Sequence, residues 1–140
     1  MNPVTRRRLA AGAAMAATIA LGLASRRWPD ALPDAFGKYP GDALWATMVL
    51  FGWCALRPRA RLREIAALTA LTCLAVEVAK LWQAPWLVAF RHTTVGHLLL
   101  GRAFSWQNLV AYAVGVLMGA ALARLLPEAV PPTAGWRATT

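Results

Sequence analysis

The sequence predicts an all-α integral membrane protein: a four-transmembrane-helix bundle with irregular outer loops and a short interfacial or re-entrant helix between its third and fourth helices. Three observations carry this expectation. First, 59% of the 140 residues are hydrophobic and only 15% are charged, which is too apolar for an ordinary soluble domain. Second, four uncharged runs stand out, at residues 9–25, 43–56, 65–76 and 109–123. Third, Arg57, Arg59, Arg61 and Arg63 crowd one linker too short to be anything but a tight hairpin, and arginines of that density mark the cytoplasmic side of a membrane. Each run is short against the roughly 20 residues of a spanning helix. Flanking arginines can snorkel, and Asp42, Glu77 and Asn108 can be shielded by neighbouring helices, so the ends can be extended. The expected helices are 9–25, 42–56, 62–83 and 105–125, in a single domain over residues 1–126.

The first run follows Thr5-Arg6-Arg7-Arg8 and so resembles a secretory or twin-arginine signal with a candidate cleavage point after Ser25. Arg26 and Arg27, directly after that point, argue for a retained helix. The loop at 26–41 carries Pro29, Pro33, Gly37 and Pro40; it is irregular and is expected to fold over the outer face. Asp42 then falls in the first turn of the second helix. It is either a cap favoured by the positive end of the helix dipole or a buried partner of Lys38 or Lys80.

The third helix ends in Glu77-Val-Ala-Lys80-Leu-Trp-Gln-Ala-Pro85-Trp86, charge at membrane depth, where function most often resides. Residues 83–105 form a long second outer loop broken by Pro85, Gly96 and Gly101; a loop of that length is usually functional. Its apolar pieces, 86–90 and 97–100, suit helical turns at the interface. Trp82, Trp86 and Trp106 are expected in the interfacial belt. Ser105 is a good N-cap for the fourth helix, with Asn108 placed to answer it. Ala111, Gly115, Gly119 and Ala123 recur every four residues, a small-residue stripe that calls for close packing. Its partner is either the alanine-rich first helix or another subunit, with packing inside the chain favoured. The tail 127–140, with Pro127, Pro131 and Pro132, is expected to be disordered.

With the N-terminus inside, Arg6, Arg7, Arg8, the four hairpin arginines, Arg124 and Arg137 lie on the cytoplasmic side. Arg26, Arg27, Lys38, Lys80, Arg91 and Arg102 lie on the other. Both termini are then cytoplasmic, in a multi-pass protein of the bacterial inner membrane. The net charge of +9 reads as membrane topology and contact with anionic lipid, and no nucleic-acid partner is expected. Cys54 and Cys73 fall inside spans, where a thiol acts as a small apolar side chain, and imply no disulfide.

This topology brings Lys38, Asp42, Glu77, Lys80, Arg91, His92, His97, Ser105 and Asn108 to one side of the membrane. Glu77 and Lys80, three apart, share a helix face. One reading is a buried ion pair that fixes the packing of the third helix. The other is an anion site, in which Lys80 and Arg91 converge beside the outward N-termini of the second and fourth helices. No metal is expected: His92 and His97 are five apart, suit no single helix face and lack a ligand framework. No cofactor is implied. Ser105 lacks a nucleophile elbow, and Glu77 as a general base is opposed by the ammonium beside it. The enzyme class is therefore the least favoured.

Taken together, Gly37-Lys38-Tyr39-Pro40-Gly41-Asp42 with Trp45, Val76-Glu77, Gln83-Ala-Pro85-Trp86-Leu87, Arg91, Gly96, Leu100-Gly101, Phe104-Ser105-Trp106 and Tyr112 with Gly115 resemble a bacterial family of small membrane proteins, domain of unknown function 2809. The resemblance runs over about residues 9–125. More distantly, the order Glu, Arg, a polar residue opening the last helix, then Gly is similar to VanZ-like proteins, which are associated with antibiotic resistance at the cell envelope. Against the family pattern, Lys80 stands where glutamine is usual and Asn108 where aspartate is usual, a move of two charges toward positive. The function expected is recognition of an anionic envelope lipid or polyprenyl-linked head group at the outer face. Lys80 and Arg91 would hold phosphate, Glu77 would orient them, Asp42 and Asn108 would organise the helix starts, and Pro85 and Trp86 would shape the rim, with Lys38 and Ser105 as further candidate ligand-binding residues. The alternative is a small accessory subunit that docks a larger membrane protein.

Overall fold

The computed structural model describes residues 1–31, 33, 37–101 and 103–129. The described chain is all-α, with six α-helices and one 3-10 turn: α1 (Pro3–Arg27), the turn at Pro29–Ala31, α2 (Tyr39–Leu56), α3 (Leu62–Ala79), α4 (Pro85–His92), α5 (Thr94–Leu100) and α6 (Trp106–Ala123). Two of them, α1 and α6, are long and apolar enough to cross a membrane. At 18 residues, α2, α3 and α6 each extend about 27 Å. Expectations that concern Phe36, Arg102, Arg137 and the tail from residue 130 lie outside the described residues.

The helix limits differ from the expected ones for local reasons. Residues 3–8 are helical because Asn2 caps the start, its Oδ1 accepting from the Val4 amide at 2.9 Å, and Pro3 sits at the first helical position, where a missing N–H costs nothing. Pro40 has the same effect at the start of α2, which begins at Tyr39 rather than at residue 42 and keeps Asp42 in its first turn as expected. The third helix, expected to reach residue 83, stops at Ala79. Its last amides tighten into i to i−3 bonds (Lys80 to Glu77, Leu81 to Val78, Trp82 to Ala79). Pro85 then holds Ala84 extended (φ −58°, ψ 135°) and starts α4. The outer loop is thereby a helical hairpin, α4 and α5, hinged at Thr93, whose Oγ1 accepts from the Gly96 amide at 3.0 Å and caps α5.

Helix α2 occupies the centre, packed against α1, α3 and α6, while α3 and α6 also pack on each other; α1 touches the remainder chiefly through α2. The stripe on α6 is buried, and it faces α2 rather than α1. A Cβ on Gly115 would run into the Ala43 carbonyl and come 2.8 Å from Ala46 Cβ, and one on Gly119 would press on Leu50 and Thr47 at 3.3–3.4 Å. The close approach is locked by Thr47, whose hydroxyl donates to the Gly115 carbonyl at 2.9 Å. Ala11, Leu50, Phe51, Cys54, Ile65 and Ala123 form the core at one end; Ala46, Cys73 and Tyr112 form a smaller cluster nearer the other.

The two ends are chemically unlike. At the first, Arg7 donates to the Pro127 carbonyl at 2.9 Å, so the start of α1 and the exit from α6 meet beside the Arg57–Arg63 linker. At the second, the end of α3 meets the starts of α2 and α6. Between them the outward faces of α1, α3 and α6 are apolar, with Leu9, Leu21, Leu71, Val78, Val110 and Leu117 exposed.

Candidate functional site

Glu77 occupies the last turn of α3 and is fully buried. A lone carboxylate in such a place is costly and needs partners. Two are supplied. Lys80, one turn on and 4% exposed, forms an ion pair with Glu77 Oε2, and Asn108 Nδ2, from the first turn of α6, donates to Glu77 Oε1 at 2.7 Å. The ammonium of Lys80 also lies 5.9 Å from the Tyr112 ring centroid, within range of a cation–π attraction. Gly101 ends α5 with φ +67°, and a Cβ there would come 3.1 Å from Lys80 Nζ, so both backbone conformation and space call for glycine.

The buried ion pair is therefore present, and Lys80 and Asn108 act on the same carboxylate. Arg91 takes a different task from the one expected. It is 4% exposed, and its guanidinium donates to the carbonyls of Lys80 at 2.8 Å and Trp82 at 2.5 Å. These are carbonyls left without helical partners beyond the end of α3. Gln83 Nε2 adds a third such bond, to Lys80 O at 3.0 Å. Arg91 thus meets Lys80 through its backbone carbonyl, while the Lys80 ammonium pairs with Glu77. Pro85 opens α4, and Trp86 is exposed and stacked edge-on against Trp82 at 6.0 Å.

The helix-start residues also differ from expectation. Ser105 holds the N-cap position of α6 but makes no capping bond; its hydroxyl donates to Gln107 Oε1 at 2.6 Å. Asn108 turns across to α3 instead of answering Ser105. The side chain of Asp42 makes no capping bond, and its Oδ2 is buried without a hydrogen-bond partner.

A cavity of about 610 Å³ opens at this end of the bundle. Lys80, Asn108, Asp42, Trp45 and Tyr112 line it from α2, α3 and α6, with Trp45 and Tyr112 ring centroids 5.5 Å apart. Exposed Arg26 and Lys38 stand over it from the end of α1 and the start of α2, and His97 borders it from α5. Of the residues expected in the site, Lys38, Asp42, Lys80, Ser105 and Asn108 line this cavity; Glu77 lies behind it, and Arg91, Pro85 and Trp86 do not line it. Sequence reasoning passed over Arg26, Trp45 and Tyr112 as lining groups. The available signal was polar aromatic residues within apolar helices, since a Trp N–H or Tyr O–H inside a span needs a partner.

Residues 31–116, more than half of the chain, match the family described as "Protein of unknown function (DUF2809)". The chain belongs to this family. No solved structure matches the chain. The match is narrower than the 9–125 resemblance: it takes in every cavity residue from Pro33 to Tyr112 and leaves out α1. In this DUF2809 protein the matched segment therefore holds Glu77, its two partners and most of the cavity wall, while α1 contributes Arg26 to the rim.

Proposed function

We propose that this DUF2809 protein is a four-span protein of the bacterial inner membrane, with both termini in the cytoplasm, which holds the phosphate of an anionic envelope lipid in the cavity at its outer end. The observation that carries the reading is the cavity's charge. Arg26, Lys38 and Lys80 face it against one lining carboxylate, Asp42, and Lys80 is already held by Glu77 from behind. A cavity of about 610 Å³ has the size of a small-molecule site. Two exposed cations at its mouth suit a phosphate, which they reach without giving up a buried ion pair.

The membrane topology has independent support. Apolar faces as extensive as those of α1, α3 and α6 are rare on proteins surrounded by water. Arg57, Arg59, Arg61 and Arg63 share an end with Arg7 and Pro127, and the positive-inside tendency favours that end as the cytoplasmic one, with the cavity at the outer leaflet. An envelope role of the VanZ-like kind fits this placement.

The test is native mass spectrometry of the protein released from mild detergent, comparing wild type with Arg26→Ala/Lys38→Ala. Wild type is expected to retain an anionic lipid that the variant loses at unchanged melting temperature. A wild-type protein that retains no anionic lipid in preference to a neutral one sinks the reading. One feature favours the accessory-subunit alternative: α1 packs chiefly on α2 and leaves Gly12, Ala13, Ala16, Ala17 and Ala20 exposed, a surface suited to a second helix. A stoichiometric partner in the same spectra would support it.

A further inference from the structure

We infer that the ligand is held by a hydrocarbon chain as well as by its phosphate, the chain lying in a second, apolar groove between α2 and α6; this rests on the anionic-lipid reading above. The groove encloses about 450 Å³ and is lined by Tyr39, Pro40 and Ala43 of α2 and by Val110, Ala111 and Val114 of α6, with Gln107 at one end. Its walls are almost wholly apolar and open to the surroundings, Val110 being 66% and Val114 52% exposed. From Gln107 to Val114 it follows two turns of α6, about 10 Å.

Groove and cavity are neighbours across one helix contact. On both helices successive residues divide between them: Asp42, Asn108 and Tyr112 line the cavity, whereas Ala43, Gln107 and Ala111 line the groove. The two therefore lie on opposite sides of the line along which α2 and α6 touch, and Pro40, at the start of α2, borders both. Cations stand at that junction. Lys38 directly precedes α2, and Arg26 lies over its first turn, since a Cβ on Gly41 would come 3.8 Å from Arg26 Nε. Positive charge beside an apolar groove suits a single molecule that is anionic and carries hydrocarbon. A free phosphate has nothing to place in the groove. An apolar helix face of a second copy would cover the groove while bringing no anion to Arg26 and Lys38. A lipid joins its phosphate to its chains by a few bonds, so a phosphate at the mouth sets the start of a chain beside Pro40. Within a bilayer the groove offers that chain no extra shelter from water; it contributes close contact with Tyr39, Val110 and Val114.

The experiment places the full-length protein in phosphatidylcholine vesicles with a small fraction of phosphatidylglycerol that carries a photoreactive diazirine on the first carbons of one chain. Cross-links are mapped by peptide mass spectrometry, with phosphatidylcholine bearing the same diazirine as the neutral reference. The phosphatidylglycerol probe is expected to label residues 39–43 and 107–114 in excess over the outward-facing Leu71 and Leu117, the neutral probe to label all of them alike, and Arg26→Ala/Lys38→Ala to abolish the excess. Val110→Trp fills the groove from an exposed position and is expected to lower retention of phosphatidylglycerol in native mass spectra about fivefold, the worth of roughly ten dispersion contacts. Leu117→Trp, equally exposed but outside the groove, is expected to leave retention unchanged. Phosphatidylglycerol that is retained yet labels the outward faces evenly, or an excess that survives loss of both cations, overturns the groove as the chain site. A groove left unlabelled in a protein that runs as a dimer assigns it to a second copy and also overturns the inference. Failure of wild type to retain phosphatidylglycerol in preference to phosphatidylcholine overturns the anionic-lipid reading itself.

Discussion

The Glu77–Lys80 pair offers the sharpest test of how this fold holds charge in its interior. Both side chains are withdrawn from solvent, at 0% and 3% exposure, and Asn108 is the only other hydrogen-bond partner of the carboxylate among the described residues. Removing one member of such a pair leaves an uncompensated charge, at a cost of about 3–5 kcal/mol, whereas replacing both members by groups of similar size is often close to neutral. Glu77→Gln keeps an oxygen for Asn108 but strands the ammonium. Lys80 borders the cavity and can swing toward Asp42, which argues for the lower end, about 3 kcal/mol. Lys80→Met strands the carboxylate with one amide donor and is expected to cost a similar amount. The double variant removes both charges and is expected to lie within about 1 kcal/mol of wild type. In melting temperature, each single change corresponds to a fall of about 10 °C for a chain of this size. The seven tryptophans provide the fluorescence signal for thermal unfolding in detergent. Single variants that melt within about 2 °C of wild type, or a double variant as unstable as the two singles summed, would refute the reasoning.

Other outcomes follow from the same geometry. Gly115→Val drives a side chain into the Ala43 carbonyl and against Ala46, and is expected to destabilise by about 1–3 kcal/mol through overpacking; denaturant titration in mixed micelles reads it. Arg91→Leu removes both guanidinium bonds, freeing the Trp82 carbonyl and leaving the Lys80 carbonyl with Gln83. Hydrogen exchange should rise over residues 80–92 while lipid selectivity stays as in wild type, whereas a lost lipid adduct would restore Arg91 to the site. Asn2→Ala removes the cap on Val4 N and is expected to cost about 1 kcal/mol, seen as faster exchange in the first turn of α1. For topology, Cys54 and Cys73 are buried and should resist maleimide in the folded protein. Arg59→Cys should then label only after the inner face is exposed, and Lys38→Cys from outside intact spheroplasts; the reverse pattern would invert the orientation.

Much of the site was legible in the sequence where the interaction is local. Glu77 and Lys80 share a helix face by spacing alone, and their ion pair needs only one turn of helix. Pro85 and Gly101 marked two of the breaks that shape the α4–α5 hairpin, because proline fixes its own φ and glycine permits the positive φ that ends α5, whereas Gly96 lies inside α5. Asn108 was misread for a physical reason: Ser105 offered it a local capping partner, while its actual partner, Glu77, lies on another helix 31 residues away. For Arg91, a count of cations on one side takes no account of the orphan carbonyls of Lys80 and Trp82, which hold the guanidinium at the end of α3.

The sequence by itself determined that this chain is helical and apolar, where its arginines gather, that α6 carries a stripe made for close contact, and that charge follows an apolar run near residue 77. These properties depend on composition and on spacing within one helix. Only the tertiary structure decided that the stripe meets α2, that Asp42, Trp45, Asn108 and Tyr112 line one cavity, and that Arg26 reaches its rim. Those contacts depend on how each helix is rotated about its axis and where it crosses its neighbours, which is set by side chains interlocking across helices rather than by the order of residues along any one of them.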